Sequence, residues 1–438
     1  MAKVKSKKTP EKAYKGEITL AFDYQGSHRY PIKSEYITYV MIEKMYENVN
    51  ILPVIYLNVS LDAELYDKVI QGVNDSKFYL KIRKKNAKSK TASFAPVLED
   101  TFTYVTSNTN VNFGDDLNTA SSEDSSYMKL MIGLVSANMT NELRKNFNNV
   151  YNNISQEDML KNVAMNGLGK IVMEPLDYNL TYKSFLIPPK SSRYKMIQYI
   201  FDKAPFYNSN FTFFMDFDCT YLVSKNGKSV DKGDGKPGSV IVNIKKYSEK
   251  DGYKDGATEK NGAYILNVNA SDSNLIVNNA TPMATNKIVS YWDTIEENKE
   301  YEMANNNVYN TEKTTYIRSN KAAAIKNELD TTAVMLELSK QNIDGDIFTP
   351  NKVFNVTHYG SNAKYNGTYF LSFKREFYYI NEKKEFIVTT NVGLKKTTNE
   401  EIISSSSDRP NRSYNSFTSS SGDNGSNSRL AGTDARMV

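Results

Sequence analysis

Two carboxylates one residue apart, Asp216 and Asp218, fall in the most strand-like stretch of the chain, NFTFFMDFDCTYLV (210–223). Period two places them on the same side of a strand. Paired carboxylates at that spacing suit glycoside hydrolysis or cation binding. The neighbours favour another account. Phe214, Cys219 and Tyr221 suit a core or an interface, where the two Asp would pair with Lys or Arg on an adjacent strand or subunit.

The remaining chemistry-bearing residues point to catalysis even less. His28 lies by Gly26-Ser27 in a loop and His358 ends a strand, and neither is near a nucleophile motif. No Gly-x-Ser-x-Gly, His-Glu-x-x-His, Cys-x-x-Cys or phosphate-loop lysine pattern is present. Asp231, Asp234 and Asp344-Gly345-Asp346 fall short of a full calcium loop and are expected to be turns. The basic run from Lys81 through Arg83, Lys84, Lys85 and Lys88 to Lys90 lacks interleaved aromatics, so a solvated hairpin tip or a subunit contact is expected rather than a phosphate site. Cys219, inside an apolar strand, is expected to be buried and inert. The expectation is therefore no catalytic residue, no metal and no cofactor.

The 438 residues carry 55 basic and 50 acidic side chains, a net charge of +5, which is no nucleic-acid footprint. A lone cysteine excludes an intramolecular disulfide and suits a reducing compartment. No run approaches the roughly 20 apolar residues of a membrane-spanning helix. The basic start lacks an apolar segment, so export by a signal peptide and membrane insertion are not expected. With 31 Tyr and 20 Phe against one Trp, the composition favours strands.

The elements expected to position these residues begin with a basic arm over 1–15 and a strand over 17–22. Ile37, Val40, Met41 and Met45 predict a helix over 34–47. Strands follow over 51–59, 77–83, 101–106 and 128–136, with a short helix from Ser60 carrying Leu61, Leu65 and Val69 inward. Helices are predicted over 138–151, over 155–166 with Ser155 and Asp158 as a capping pair, and over 192–203 behind a Ser191 or Ser192 cap. A strand over 240–244, short strands at 264–268 and 275–277, a helix over 320–338 and strands over 352–358, 367–378 and 385–394 complete the series. Residues 399–438 are Ser/Asn-rich with almost no aliphatic content and cannot offset the entropy of ordering by themselves. The fold class expected is α+β, mainly β.

Phe206, Tyr207, Phe211, Phe213, Phe214, Phe217 and Tyr221 crowd into sixteen residues. One strand pair cannot hide all of them on one face. Either the fold covers both faces, or one face meets another subunit. Phe206, Tyr207, Phe211, Phe213, Asp216, Asp218 and Tyr221 are accordingly the interface candidates.

Three segments resemble baseplate hub proteins of contractile phage tails, a family that shares its barrel core with type VI secretion spike proteins. Residues 51–83 resemble the first barrel, 185–223 the linker, helix and aromatic strand that open the second, and 352–379 that barrel's return strands. The resemblance implies two tube-like antiparallel β-barrel domains, over 16–137 and over 205–250 with 345–398. It implies a helical/linker domain over 138–204, an insertion over 251–344 and a tail over 399–438 that is either a tether or a disordered linker. Three such chains would present six similar barrels, which lets a threefold spike meet a sixfold tube.

The function implied is a non-enzymatic, homotrimeric adaptor in the virion baseplate, assembled in the host cytoplasm. Its partners would be the tail tube protein, the central spike, other baseplate (wedge) proteins and a tape-measure protein, with DNA only in transit through the lumen. The alternatives are a hexameric tube initiator or distal tail protein, a tail-associated peptidoglycan hydrolase acting through Asp216 and Asp218, and a surface adhesin.

Overall fold

The computed structural model describes residues 14–24, 28–47, 51–72, 76–86, 94–105, 127–177, 179–187, 189–203, 206–207, 211–246, 256–277, 284–290, 300–304, 313–317, 334–343, 345–381 and 385–397. Most of the expected N-terminal arm, the first fourteen residues of the expected 320–338 helix, Asp344 and the 399–438 tail lie outside them.

The first third of the chain forms β1 (Tyr14–Tyr24), β2 (His28–Ile32), β3 (Ile37–Met45), β4 (Val54–Asp62), β5 (Lys77–Asn86), β6 (Ala95–Tyr104) and β7 (Tyr127–Ser136), with helix α1 (Ala63–Gly72) after β4. A mixed unit follows: α2 (Ala137–Arg144), β8 (Asn146–Phe147), β9 (Val150–Ser155), α3 (Gln156–Asp158) continuing into a π-helical turn, β10 (Lys170–Met173), β11 (Thr181–Leu186), β12 (Ser191–Ser192), α4 (Arg193–Lys203), β13 (Phe211–Met215) and β14 (Cys219–Ser224). The rest is β15 (Ser239–Lys245), β16 (Gly256–Lys260), β17 (Ala263–Asn269), β18 (Ser273–Val277), β19 (Ala284–Ser290), β20 (Glu300–Ala304), β21 (Lys313–Ile317), β22 (Val334–Gln341), β23 (Val353–His358), β24 (Gly367–Ile380) and β25 (Phe386–Lys396). The fold is mainly β, as expected.

Eight strands close a hydrogen-bonded circuit, β1–β5–β6–β7–β4–β3–β24–β25 and back to β1, every pairing antiparallel. The closing seam is one residue pair, Tyr14 with Phe386. Gly16 permits it, because a Cβ there would lie 2.3 Å from the Phe386 ring. Inside sit Phe22, Val40, Leu57, Phe78, Leu80, Phe102 and Leu134, all fully buried. Phe78, Leu80 and Ile82 face in, as their alternation predicts.

A second sheet of eight strands runs β16–β17–β15–β23–β24–β25–β22–β18. Only the three residues Ala270–Asp272 separate β17 from β18. Four peptide units reach about 14 Å, so the two flanks of this sheet must curl toward each other. All eight strands send side chains into one core, among them Val240, Leu266, Leu336, Phe354 and Leu394. Strands β19–β21 pair separately.

The long hairpin β24–β25 serves both cores. Near its turn, Tyr378, Phe386 and Val388 enter the first core. Near its open end, Tyr369, Leu371, Val392 and Leu394 enter the second. The ladder shifts register between Leu371 and Phe373 at the crossover. Gly393 accommodates the Phe373 ring there, since a Cβ would lie 2.2 Å from it.

Several expectations are corrected. Residues 37–45 are a strand, not a helix. A register shift against β4 between Ile37 and Tyr39 makes the first buried step three residues, followed by steps of two, and this imitates helical spacing. The expected 138–151 helix stops at Arg144, and Val150, Tyr151 and Ile154 then enter a strand that suits their β-branched and aromatic shapes. Met335–Leu338, expected at the end of a helix, pair with β25, and Val334 pairs with β18. The 210–223 stretch is a hairpin of two strands, broken at Asp216–Asp218. It belongs to a small sheet with β10 rather than to either large ladder. Ser155 and Ser192 do cap their helices, accepting from the Asp158 and Lys195 amides. The helix expected from Ser60 begins one turn later, with Asp62 accepting from the Leu65 amide.

Candidate interface and charged layer

Along β3 the inward side chains are Val40, Ile42, Lys44 and, just beyond the strand, Tyr46. The first two belong to the first core and Tyr46 to the second. Along β24 the sequence is Tyr378, Glu376, Lys374, and then Leu371 and Tyr369 past the register shift. Lys44 and Lys374 are directly opposite each other in the β3–β24 ladder. A layer of charge therefore separates two apolar cores. Lys44, Asp216, Lys374 and Glu376 are 8, 6, 4 and 7% exposed.

Asp216 reaches this layer from the β13–β14 turn. The Lys44 ammonium donates to both of its carboxylate oxygens, at 2.7 and 2.8 Å. The Phe217 amide donates to it at 2.8 Å, and the Asp216 amide donates to the Cys219 carbonyl to close the turn. Lys374 pairs with Glu376 at 3.4 Å and donates to the Gly345 carbonyl at 3.0 Å. A Cβ at Gly345 would stand 2.1 Å from the Glu376 carboxylate, so a side chain there would displace that carboxylate. Burial pulls the Lys44 amine down, yet Asp216 and Glu376 outweigh it and hold the amine above its ordinary value. Burial pulls Lys374 below its ordinary value despite Glu376, with Lys44 adding to the shift. Burial also acts against the Glu376 carboxylate, but Lys374 and Lys44 prevail and keep it below the usual range.

The same turn covers part of the first barrel. Phe217 packs edge-on to Phe102 with ring centroids 6.3 Å apart, and the Lys44 ammonium lies 5.4 Å over its ring. Asp218 turns outward instead and pairs with Lys232. One carboxylate is neutralised in a buried ion pair and the other faces solvent, so the two do not converge on a common substrate position. Among the described residues no cluster of three or more His, Cys, Asp or Glu could hold a metal ion.

A family model described as the bacteriophage PBS1 gene 109 protein matches residues 17–397. The chain belongs to that family. No individually curated protein matches the sequence. Solved structures with a similar chain course include the tail protein from Neisseria meningitidis MC58, 8% identical over 86% of this chain and 96% of that one, with a TM-score of 0.45. They also include the 43 kDa tail protein of prophage MuSo2 from Shewanella oneidensis, 8% identical over 86% and 96%, TM-score 0.44. A third is the half-lidded Francisella PdpA–VgrG complex, 12% identical over 92% of this chain and 60% of that one, TM-score 0.45.

In this gene 109 family member the seven interface candidates separate. Phe206, Tyr207 and Tyr221 are buried by the chain itself. The Phe201 ring lies 5.6, 5.0 and 5.2 Å from Phe206, Phe211 and Phe213, so these four form one aromatic nucleus within the mixed unit. The Tyr207 hydroxyl donates toward the Glu174 and Leu222 carbonyls at 2.9 and 3.3 Å. Asp216 sits in the charged layer, and only Asp218 is exposed. Of the two open accounts of the aromatics, coverage within the fold describes Phe206, Tyr207 and Tyr221. Burial also pushes the Cys219 thiol up to about 12, as an inert core cysteine requires.

Sequence reasoning missed Lys44, Lys374 and Glu376 altogether. The available signal was charge at inward positions of apolar strands, Lys44 between Ile42 and Tyr46 and Glu376 two residues before Tyr378. The mistaken helix over 34–47 concealed the first.

Proposed function

We propose that this chain is a structural subunit of a contractile phage tail: a trimeric baseplate adaptor that joins the sixfold tail tube to the threefold central spike. The observation that carries this reading is the pair of β modules in one polypeptide, a closed eight-stranded circuit and a curled eight-stranded sheet, joined by the shared hairpin β24–β25. A trimer of chains with two such modules offers six docking surfaces upward and three chains downward, which resolves a symmetry mismatch that closed assemblies otherwise cannot satisfy. Membership of a bacteriophage family supports the setting.

Binding, not catalysis, is the activity. The tail tube, the spike, neighbouring wedge proteins and a tape-measure protein are the proposed partners, with DNA passing through the lumen. The proposed division of the chain has one module built from β1–β7 with the β24–β25 hairpin, a second that draws β16, β17, β18 and β22 from residues 251–344, and a mixed unit that takes in β13 and β14. Native mass measurement of the purified full-length chain tests the reading. A trimer is expected, and a stable hexamer would reject the adaptor in favour of a tube initiator. Low-resolution density of the particle with three copies at the distal end of the tube is the corresponding expectation in situ.

A further inference from the structure

The outer wall formed by β1, β5 and β6 neutralises its own charge along most of its length. Lys77 is directly opposite Asp23. Lys81 is bound to Glu99 at 2.7 Å, and Arg83 lies 3.2 Å from Glu99 and 3.8 Å from Glu17. The pattern fails at one end. Lys15 on β1 is directly opposite Lys85 on β5, and like charges so placed repel. Lys15 is exposed and Lys85 half-buried, with its ammonium 4.5 Å over the Phe94 ring. Among the described residues neither has an acidic partner. Glu385, one residue past the Tyr14–Phe386 seam, accepts from the Asn381 side chain at 2.8 Å. Lys84, opposite Gly16, acts instead on the buried Glu376.

The same register decides what adjoins this pair. Lys15 closes a stretch of fifteen residues that holds six lysines against the single Glu11. That net charge of +5 equals the net charge of the whole chain, so the remaining residues balance. Pairing of β1 with β5 therefore joins the basic start of the sequence to the basic run that begins at Lys81. Apart, each is a solvated charge run. Together they concentrate positive charge at one end of the barrel. The chemistry limits the partner. Lysines are point charges on flexible stems and suit a regular line of charge rather than a shaped pocket. Duplex DNA is such a line, with one negative charge per about 1.7 Å of its axis. A single strand calls for aromatic side chains to stack its bases, and a membrane surface for an apolar anchor. Tyr14 is the one aromatic among the first fifteen residues, and it already belongs to the β1 ladder.

We propose that the Lys15–Lys85 end of the barrel, with the lysines that precede it in sequence, binds the phosphate backbone of double-stranded DNA without regard to base sequence. This rests on the phage-tail reading above and names the part of the chain that meets the DNA in transit. Contacts of this kind let a protein and a duplex slide past each other, as transit requires. The test is fluorescence anisotropy of a labelled 30-base-pair duplex with the full-length chain over a series of salt concentrations. Binding should weaken steeply with salt and be the same for unrelated sequences. At 0.1 M salt each lost phosphate contact costs about eightfold, so Lys15→Gln/Lys85→Gln should weaken binding at least tenfold and flatten the salt slope by about 1.8. Lys183→Gln/Lys260→Gln removes the same charge from exposed positions on β11 and β16 and should leave binding within twofold of wild type.

Equal losses in the two double variants would overturn the proposal, since binding would then follow overall charge and not this end. So would the absence of duplex binding at 50 mM salt. Tighter binding of a polyglutamate peptide of equal charge, or of phosphatidylglycerol vesicles, would assign the surface to an acidic protein or a membrane and overturn it as well. A trimer that binds no duplex would keep the adaptor and reject this inference. A hexamer whose duplex binding depends on Lys15 and Lys85 would do the reverse.

Discussion

Removing one partner of the Lys44–Asp216 pair should loosen the β13–β14 hairpin far more than removing both. In the single variant Lys44→Met, Asp216 stays 6% exposed and keeps only the Phe217 amide as a close donor. An uncompensated buried charge of this kind costs about 3–5 kcal/mol. The double variant Lys44→Met/Asp216→Leu removes both charges and leaves Lys374 paired with Glu376, so its cost should fall within about 1 kcal/mol of zero. The two single variants should also differ. Asp216→Leu leaves Lys44 directly opposite Lys374 with Glu376 as their shared anion, whereas Lys44→Met leaves Lys374 between two carboxylates. Asp216→Leu is therefore the more damaging. Several cores in one chain make a single unfolding midpoint a poor reporter. Hydrogen exchange of the Phe214 and Tyr221 amides, the next bonded pair of the ladder beyond Asp216 and Cys219, reports the local opening directly. A loss of about 3 kcal/mol accelerates exchange more than a hundredfold at roughly 1.4 kcal/mol per decade. Exchange in Lys44→Met within threefold of wild type, or a double variant as fast as the worse single, would refute the reasoning.

Three further outcomes follow from single residues. His358 is 4% exposed, and its Nε2 has no hydrogen-bond partner. Burial, with Lys396 nearby, holds it below its ordinary 6.5. The unfolded chain takes up that proton first, so stability should decline as pH falls below about 6.5 toward the lowered folded value, and His358→Gln should flatten this part of a urea-midpoint profile. Gly393→Ala would drive a Cβ to 2.2 Å from the Phe373 ring and should cost about 1–3 kcal/mol, partly restored by adding Phe373→Leu; an unchanged urea midpoint would contradict the packing. Cys219 should resist Ellman's reagent at pH 8 in the native chain and react only on unfolding, because it is buried and its thiol is raised to about 12.

The strands with clean alternation were legible: 77–83, 264–268 and 352–394 all lie within a few residues of where their pattern predicts. So were the caps at Ser155 and Ser192, which depend only on neighbours in sequence. What escaped was set by distant partners. The register shift at Ile37–Tyr39 is a feature of the pairing with β4, and no local spacing reports it. The turn at Asp216 exists because Lys44, 172 positions earlier, waits in a buried layer. Read alone, Asp-Phe-Asp in an aromatic strand looks like two residues on one face. Paired with Lys44, it is a corner with one carboxylate inside and one outside. The aromatic crowding was correctly seen as too much for one face, but its use within the chain depended on Phe201, which the helix α4 carries into the centre of the cluster.

The shared hairpin bears on why the two modules can work as one. Strands β24 and β25 pair with each other along nearly their whole length, from Tyr369–Lys396 to Ile380–Phe386. One end completes the first barrel and the other holds the centre of the second sheet. Neither module can rotate against the other without shearing those eleven residue pairs or tearing β3 from β24. A flexible linker between two complete barrels would leave their angle free, whereas the shared hairpin holds it. The charged layer sharpens the same constraint. Its four groups come from β3, β24 and the β13–β14 turn, and Lys374 also binds the Gly345 carbonyl between β22 and β23. An apolar filling of equal volume would tolerate a slipped register, but opposed lysines and glutamates tolerate only the one in which each charge meets its partner. On this argument the buried ions contribute little net stability and much to the fixed geometry of the pair.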